Sequence, residues 1–248
     1  MRRWLTMLLC LLLPAAEAAA GLVEVKVYDR TARCELPVYA RDGRFYVAGT
    51  PGHGYSIRLR NRSGEDVLAV VSVDGVNVVS GETAAVDQGG YILSPGQRFD
   101  ITGWRKSLEQ VAKFYFSEPQ DAYAARTGRP DELGVIGVAV FRRKPEPMLE
   151  APAEPLRQRR EGAAPSAPPK SAAESAADAA PGLGTGHGGS ETSVVRHAQF
   201  ERASSTPAQL TVIEYDTLDN LVARGIVPQP RRAPQPFPAQ FVPDPPRR

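Results

Sequence analysis

Short runs of alternating apolar and polar residues, each ended by a turn signal, fill residues 22–143. Val23, Val25 and Val27 alternate with polar or aromatic neighbours, the period-two pattern of a strand with one buried face. Asp-Gly pairs at 42–43 and 74–75 separate such runs and favour the tight turn that joins two antiparallel strands. The pattern predicts an all-β fold, an antiparallel β-sandwich with short helical inserts. Immunoglobulin-like and jelly-roll strand orders are both compatible with it.

Helical signals in this region are brief. Ser107 with Gln110 three residues later resembles a capping box, which predicts a helical turn that places Leu108 and Val111 on one face. A second turn is predicted over 122–127, where Gly128 would end it.

Proline divides the chain into segments. Of the 23 prolines, eight lie in 145–181 and eight in 228–248. Stretches of this composition bury little apolar surface. We therefore predict a Pro/Ala-rich disordered linker over 145–181 and a Pro/Arg-rich disordered tail over 228–248, with the β-sandwich domain in 21–144.

Residues 182–227 are predicted to form a small α+β docking segment. Five glycines between 182 and 189 suggest a flexible Gly-His loop, and 193–200 and 210–215 have strand character. Thr217 is placed to cap a helix over 218–224, and Gly225 would end it. The segment is too small to fold alone, so we expect it to dock on the β-domain or on another molecule.

The first twenty residues have the pattern of a cleaved signal peptide. Arg2 and Arg3 precede a short apolar core, and the alanines that follow allow cleavage before Gly21 or before Ala19. A membrane anchor would need about 20 apolar residues, and this core is much shorter. A lipoprotein signal would place a small residue before Cys10, where this chain has leucine. We expect a periplasmic or secreted protein with no transmembrane segment in its mature chain.

Charge and cysteine content narrow the function classes further. The formal net charge is +2, which gives no general attraction to nucleic acid. Cleavage would leave Cys34 as the one cysteine, so the mature fold would contain no internal disulfide. We expect Cys34 to be a small buried apolar residue.

One candidate metal site follows from the histidines of the C-terminal segment. His187, Glu191 and His197 supply two imidazoles and a carboxylate, a ligand set that zinc accepts. Their spacing matches no standard metal-binding motif, and glycine-rich positions suit a turn equally well. A metal-dependent enzyme is therefore the alternative hypothesis, and the leading one needs no cofactor.

A candidate binding site lies at the end of a predicted strand. Trp104 is followed by Arg105 and Lys106, an aromatic ring beside two cations. This combination suits sugar stacking or an anionic polymer such as a cell-wall or lipid headgroup surface. The alternative is a tryptophan packed in the core while its neighbours face water.

Several strings of the chain occur together in a recognisable order. They are Val67–Val79, Gly103–Ser107, Tyr123–Pro130, Gly134–Phe141, Leu183–Gly188, Phe200–Ala203 and Asn220–Gly225. Together they resemble an uncharacterised family of bacterial exported proteins. The resemblance covers 22–143 and 182–227 and implies the same segment order, but no catalytic residues.

These observations favour an exported cell-envelope protein that acts as a non-catalytic binding or scaffold module. Its partner would be another envelope protein or an envelope polymer, recognised through loops and edge strands.

Overall fold

A computed structural model describes residues 21–145 and 182–228. The predicted signal peptide lies outside these ranges, as do all but the first residue of the predicted linker and of the predicted tail. The strands in the described ranges are β1 (Val23–Asp29), β2 (Cys34–Glu35), β3 (Val38–Arg41), β4 (Arg44–Gly49), β5 (Tyr55–Asn61), β6 (Val67–Val73), β7 (Val76–Asn77), β8 (Tyr91–Leu93), β9 (Arg98–Ile101), β10 (Gly103–Arg105), β11 (Gln110–Ser117), β12 (Val135–Arg142), β13 (Gly184–Thr192) and β14 (Gln209–Thr217).

The strands form three sheets. The largest has the order β3-β4-β14-β12-β6-β7, and β8 also pairs with β6. The other two have the orders β2-β1-β5-β9 and β10-β11-β13. Within the described ranges β14 and β4 are parallel, and every other named pair is antiparallel. The predicted all-β sandwich with short helical inserts is confirmed.

Side chains from all three sheets meet in one hydrophobic core. At its centre the Tyr55 ring stacks on Phe114 and Phe116, with centroids 5.3 and 4.4 Å away. Val138 of the largest sheet is fully buried in the same cluster. Burial of each such side chain contributes about 1.5–3 kcal/mol, which explains why the alternating pattern determines the fold.

The C-terminal segment is part of these sheets. Strand β13 pairs with β11, and β14 lies between β12 and β4. Docking therefore takes place in cis, through main-chain hydrogen bonds with strands from the first 145 residues.

The predicted Gly-His loop is wrong, because 184–192 form strand β13. A side chain at Gly186 would place its Cβ atom 2.0 Å from Cζ of Tyr115, so glycine is needed for close packing against β11. The strand predicted over 193–200 is also absent from the described structure, where this stretch has no regular secondary structure.

The capping box at Ser107 likewise does not start a helix. Its Oγ accepts a hydrogen bond from the Gln110 amide at 3.2 Å, but that bond belongs to the turn between β10 and β11. Val111, which we placed on a helix face, is instead a buried residue of β11. Pairing with β13 outweighs the weak local preference for helix.

The other two helical predictions are confirmed. Helix α1 (Tyr123–Arg126) lies in the predicted turn, and α2 (Leu218–Ala223) follows β14. The Thr217 hydroxyl accepts from the Asn220 amide at 3.2 Å, as an N-cap does. Gly225 has a φ of +67° and ends the helix. No helix in the described part of the chain is long and apolar enough to cross a membrane.

The prediction for Cys34 is wrong, because this residue is exposed. It lies on the two-residue strand β2 at a sheet edge, where only the end of β1 pairs with it.

Candidate functional site

A large groove lies beside β8 and β9 and is also lined by residues of the segment 194–202, here called the strap. The volume of the groove is about 950 Å³, within the range of pockets that hold small ligands. Tyr91 and Phe99 line it, with ring centroids 4.9 Å apart. Leu108 and Val194 line it as well, and both side chains are exposed. The walls are therefore largely apolar and accessible.

Arg105 holds the beginning of the strap. Its guanidinium donates to the backbone carbonyl of Ser193 at 2.5 Å and to the hydroxyl of Tyr91. The Val195 amide donates to the carbonyl of Leu108 at 2.8 Å. These bonds connect the strap to the turn that precedes β11.

Arg202 holds the end of the strap. Its guanidinium donates to the carbonyls of Val86 and Gln88, at 2.9 and 2.5 Å. The same group lies 4.1 Å from the centroid of the buried Phe141 ring, in cation–π contact.

The middle of the strap lacks the hydrogen bonds that hold its two ends in the described structure. Across the described residues we find no hydrogen bond to or from residues 196–199. Arg196 and His197 are exposed and line the groove, and neither forms an ion pair within the described ranges. The groove thus has the guanidinium of Arg196 and the imidazole of His197 available.

The predicted binding residues are divided between the core and the groove. Trp104 is 3% exposed, and its ring packs against Phe114 and Tyr123 at centroid distances of 4.8 Å, so it offers no open face for a sugar. Lys106 donates to the hydroxyl of Ser190 at 2.7 Å. Of the three, Arg105 lines the groove.

The predicted metal ligands do not meet in one place. Strand geometry separates His187 from Glu191 by about 13 Å along β13. Glu191 instead accepts from the Arg30 guanidinium at 2.9 and 3.0 Å, and His197 belongs to the strap. Residues 21–145 and 182–228 contain no group of three or more His, Cys, Asp or Glu side chains that could hold a metal ion.

Two polar arrangements in the structure were not apparent from the sequence. In the first, buried Asp29 lies 2.7 Å from Nδ1 of His53 and also accepts from the amides of Thr31 and Ala32. Such a carboxylate can orient a histidine for proton transfer. Within the described residues, no serine, threonine or cysteine side chain forms a hydrogen bond with the imidazole, and the bonds from the Thr31 and Ala32 amides make Asp29 part of the turn after β1.

The second arrangement is a buried network centred on Asp74. One carboxylate oxygen accepts from the Tyr215 hydroxyl at 2.5 Å, and the other accepts from the Thr185 amide at 2.7 Å. The Gly134 amide also donates, at 2.9 Å, to the oxygen that accepts from Tyr215. The Thr185 hydroxyl in turn joins the hydroxyls of Tyr55 and Tyr215, at 2.6 and 2.5 Å.

Burial dominates the electrostatics of this network. It raises the pKa of Asp74 to about 6, despite the hydrogen bonds that favour the charged form. Burial also raises the pKa of Tyr55 and of Tyr215 well above their ordinary value. In the sequence, Asp74 is marked only by the Asp-Gly turn at 74–75, and this pattern gives no information about its partners Thr185 and Tyr215, more than a hundred residues away.

No match to this chain is found among family models, curated proteins or solved structures. The family that the sequence strings suggest stays a prediction. The functional proposal consequently rests on the geometry of the groove.

Proposed function

We propose that this protein is an exported, non-catalytic binding module of the bacterial cell envelope whose ligand occupies the groove lined by the strap. The observation that carries the proposal is the groove itself, about 950 Å³ in volume with accessible apolar walls. A concave site with apolar walls and a few polar groups is the usual form of a small-ligand pocket.

Charge indicates the chemical class of the ligand. Three cationic side chains line the groove, those of Arg105, Arg196 and Arg202, and Asp87 is the one acidic residue among the lining side chains in the described ranges. Arg105 and Arg202 hold the strap, whereas Arg196 and His197 are exposed and can contact a ligand. An organic anion with an apolar body matches both the walls and this positive charge.

The sequence of the first twenty residues supports the envelope location in this proposal. The apolar core of the first twenty residues, followed by small alanines, supports export. An envelope polymer or a second envelope protein would then present the anionic, partly apolar group that the groove accepts.

The probe for this site is anilinonaphthalene sulfonate, an aromatic anion that fluoresces in apolar surroundings. We expect saturable binding to the mature protein, weakened at least about tenfold by the double substitution Leu108→Ser with Val194→Ser. Arg196→Gln should weaken binding less, because it removes only the charge. Decanoate should displace the probe better than decanol, and acetate should not displace it.

The matched control is Leu210→Ser with Val212→Ser. These two exposed apolar residues of β14 are not among the residues that line the groove. An equal loss of probe binding in the control, or a failure of the groove variant to weaken it, would contradict the proposal.

The location has its own test. The mass of the protein recovered from the envelope fraction should correspond to a chain that starts at Gly21 or at Ala19. A full-length chain confined to the cytosolic fraction would exclude the envelope role even if the groove binds the probe.

A further inference from the structure

The outer face of the sheet β2-β1-β5-β9 carries many charged side chains. The strand register places Glu24, Arg60 and Arg98 in one row across β1, β5 and β9. The face surrounds a surface depression of about 350 Å³, lined by five cationic and three acidic side chains. The local charge is therefore positive, although the whole chain is nearly neutral.

Each of the three carboxylates on this face already has a cationic partner. Glu24 accepts from the Arg62 guanidinium at 2.5 and 3.0 Å. Asp100 accepts from Nε of Arg58 at 3.1 Å. Glu35 accepts from Nζ of Lys26 at 2.7 Å. Two of the five cations form no such ion pair, although one of them, Arg60, lies opposite Glu24 on β1 and is attracted by its charge.

The two remaining cations are Arg60 and Arg98, which lie directly opposite each other on β5 and β9. Neither forms an ion pair with any residue of the described ranges. Nε of Arg60 is buried and has no hydrogen-bond partner in the structure. Like charges at directly opposed positions destabilise a sheet, and Glu24 lies opposite Arg60 only, so a bound anion would reduce the repulsion that remains.

We propose that Arg60 and Arg98 form a binding site for a phosphoryl oxyanion, either free phosphate or the phosphate of a lipid headgroup. A guanidinium presents parallel N–H groups that match the oxygens of such an anion. Because Nε of Arg60 is buried, an anion would be bound by the terminal N–H groups of this guanidinium and by the exposed side chain of Arg98. This site is on a different surface from the groove and does not depend on the proposed function.

The first experiment is a titration of the mature protein with inorganic phosphate at low ionic strength, followed through the arginine Nε–H signals. We expect saturable shifts of the Arg60 and Arg98 signals. Arg98→Gln should weaken binding at least about tenfold, because one of the two guanidinium groups is lost. The matched control is Arg44→Gln, an exposed arginine of β4 that pairs with Glu214, and it should leave binding unchanged.

The second experiment distinguishes the two sources of the anion. Vesicles of phosphatidylglycerol are compared with vesicles of phosphatidylcholine in a sedimentation assay, using the same variants. Binding to phosphatidylglycerol vesicles that Arg98→Gln abolishes, without a response to free phosphate, assigns the site to a headgroup. A response to free phosphate without vesicle binding assigns it to the soluble anion.

A charge reversal adds a readout that a structural role would not produce. Arg98→Glu should pair with Arg60, raise the Tm by about 1–3 °C without phosphate and abolish the rise in Tm that phosphate causes. The proposal is overturned if neither phosphate nor anionic vesicles bind. It is also overturned if Arg44→Gln weakens binding as much as Arg98→Gln, because the attraction would then be general.

Discussion

Two adjacent stretches of the C-terminal segment are held in different ways. Residues 184–192 form β13, which pairs with β11 along its length and places Thr185 in the buried network around Asp74. The strap, residues 194–202, is held near its two ends, while 196–199 form no hydrogen bond within the described residues. One stretch stabilises the fold, and the middle of its neighbour has fewer contacts that hold it in place.

The network explains the stability of the first stretch. Asp74 accepts hydrogen bonds from β13, from β14 and from Gly134, the residue that precedes β12. In a low-dielectric interior such bonds are strong, and each unmatched donor is costly. The Asp74 side chain therefore connects the C-terminal strands to the rest of the sandwich.

The largest expected effect comes from Asp74→Ala. The substitution leaves the amides of Thr185 and Gly134 and the hydroxyl of Tyr215 without their acceptor, so we expect the free energy of unfolding to fall by about 3–5 kcal/mol. Urea denaturation measures this change. Asp121→Ala, at an exposed residue, is the control and should stay within about 0.5 kcal/mol. A similar small loss in both variants would show that the network does not hold the segment.

The next effect is a pH dependence that belongs to the network and not to the strap. The folded-state pKa of Asp74, about 6, is higher than its ordinary value of 3.8, so protonation favours the folded state. This stabilisation is complete below about pH 4 and is lost as the pH rises through 6, by about 3 kcal/mol in total.

Comparison with Asp74→Asn isolates this contribution, because asparagine does not titrate and tolerates the positive φ at this position. From pH 4 to pH 7 we expect the unfolding free energy of the wild type to fall by about 3 kcal/mol relative to that of the variant. A difference that stays constant over this interval would mean that Asp74 titrates with its ordinary pKa.

Local sequence patterns were sufficient to predict the sandwich. Alternating residues such as Val23, Val25 and Val27, and the Asp-Gly turns, act over a few neighbours, and the structure retains them. The Asp42 and Asp74 turns both have the positive φ that their type requires. Helix α2 was predictable for the same reason, since its cap and its terminating glycine are close in sequence.

Predictions failed where a distant strand determines the outcome. Gly186 was interpreted as a loop residue, but it is needed because the Tyr115 ring from β11 occupies the space of a side chain. Ser107 was interpreted as a helix cap, but pairing of β11 with β13 decides the structure there. The groove and the Asp74 network depend on the strand order, which a single sequence does not specify.

The smallest effect tests the other side of the comparison, the strap. Arg202→Gln removes the hydrogen bonds to the carbonyls of Val86 and Gln88 and the contact with the Phe141 ring. We expect a loss of about 1 kcal/mol in unfolding free energy. Hydrogen exchange should become faster in 200–203, at the released end of the strap, and stay unchanged at the buried amide of Thr185. Faster exchange at Thr185 as well would mean that the strap and β13 open together, and the division between a stabilising and a more weakly held stretch would then be incorrect.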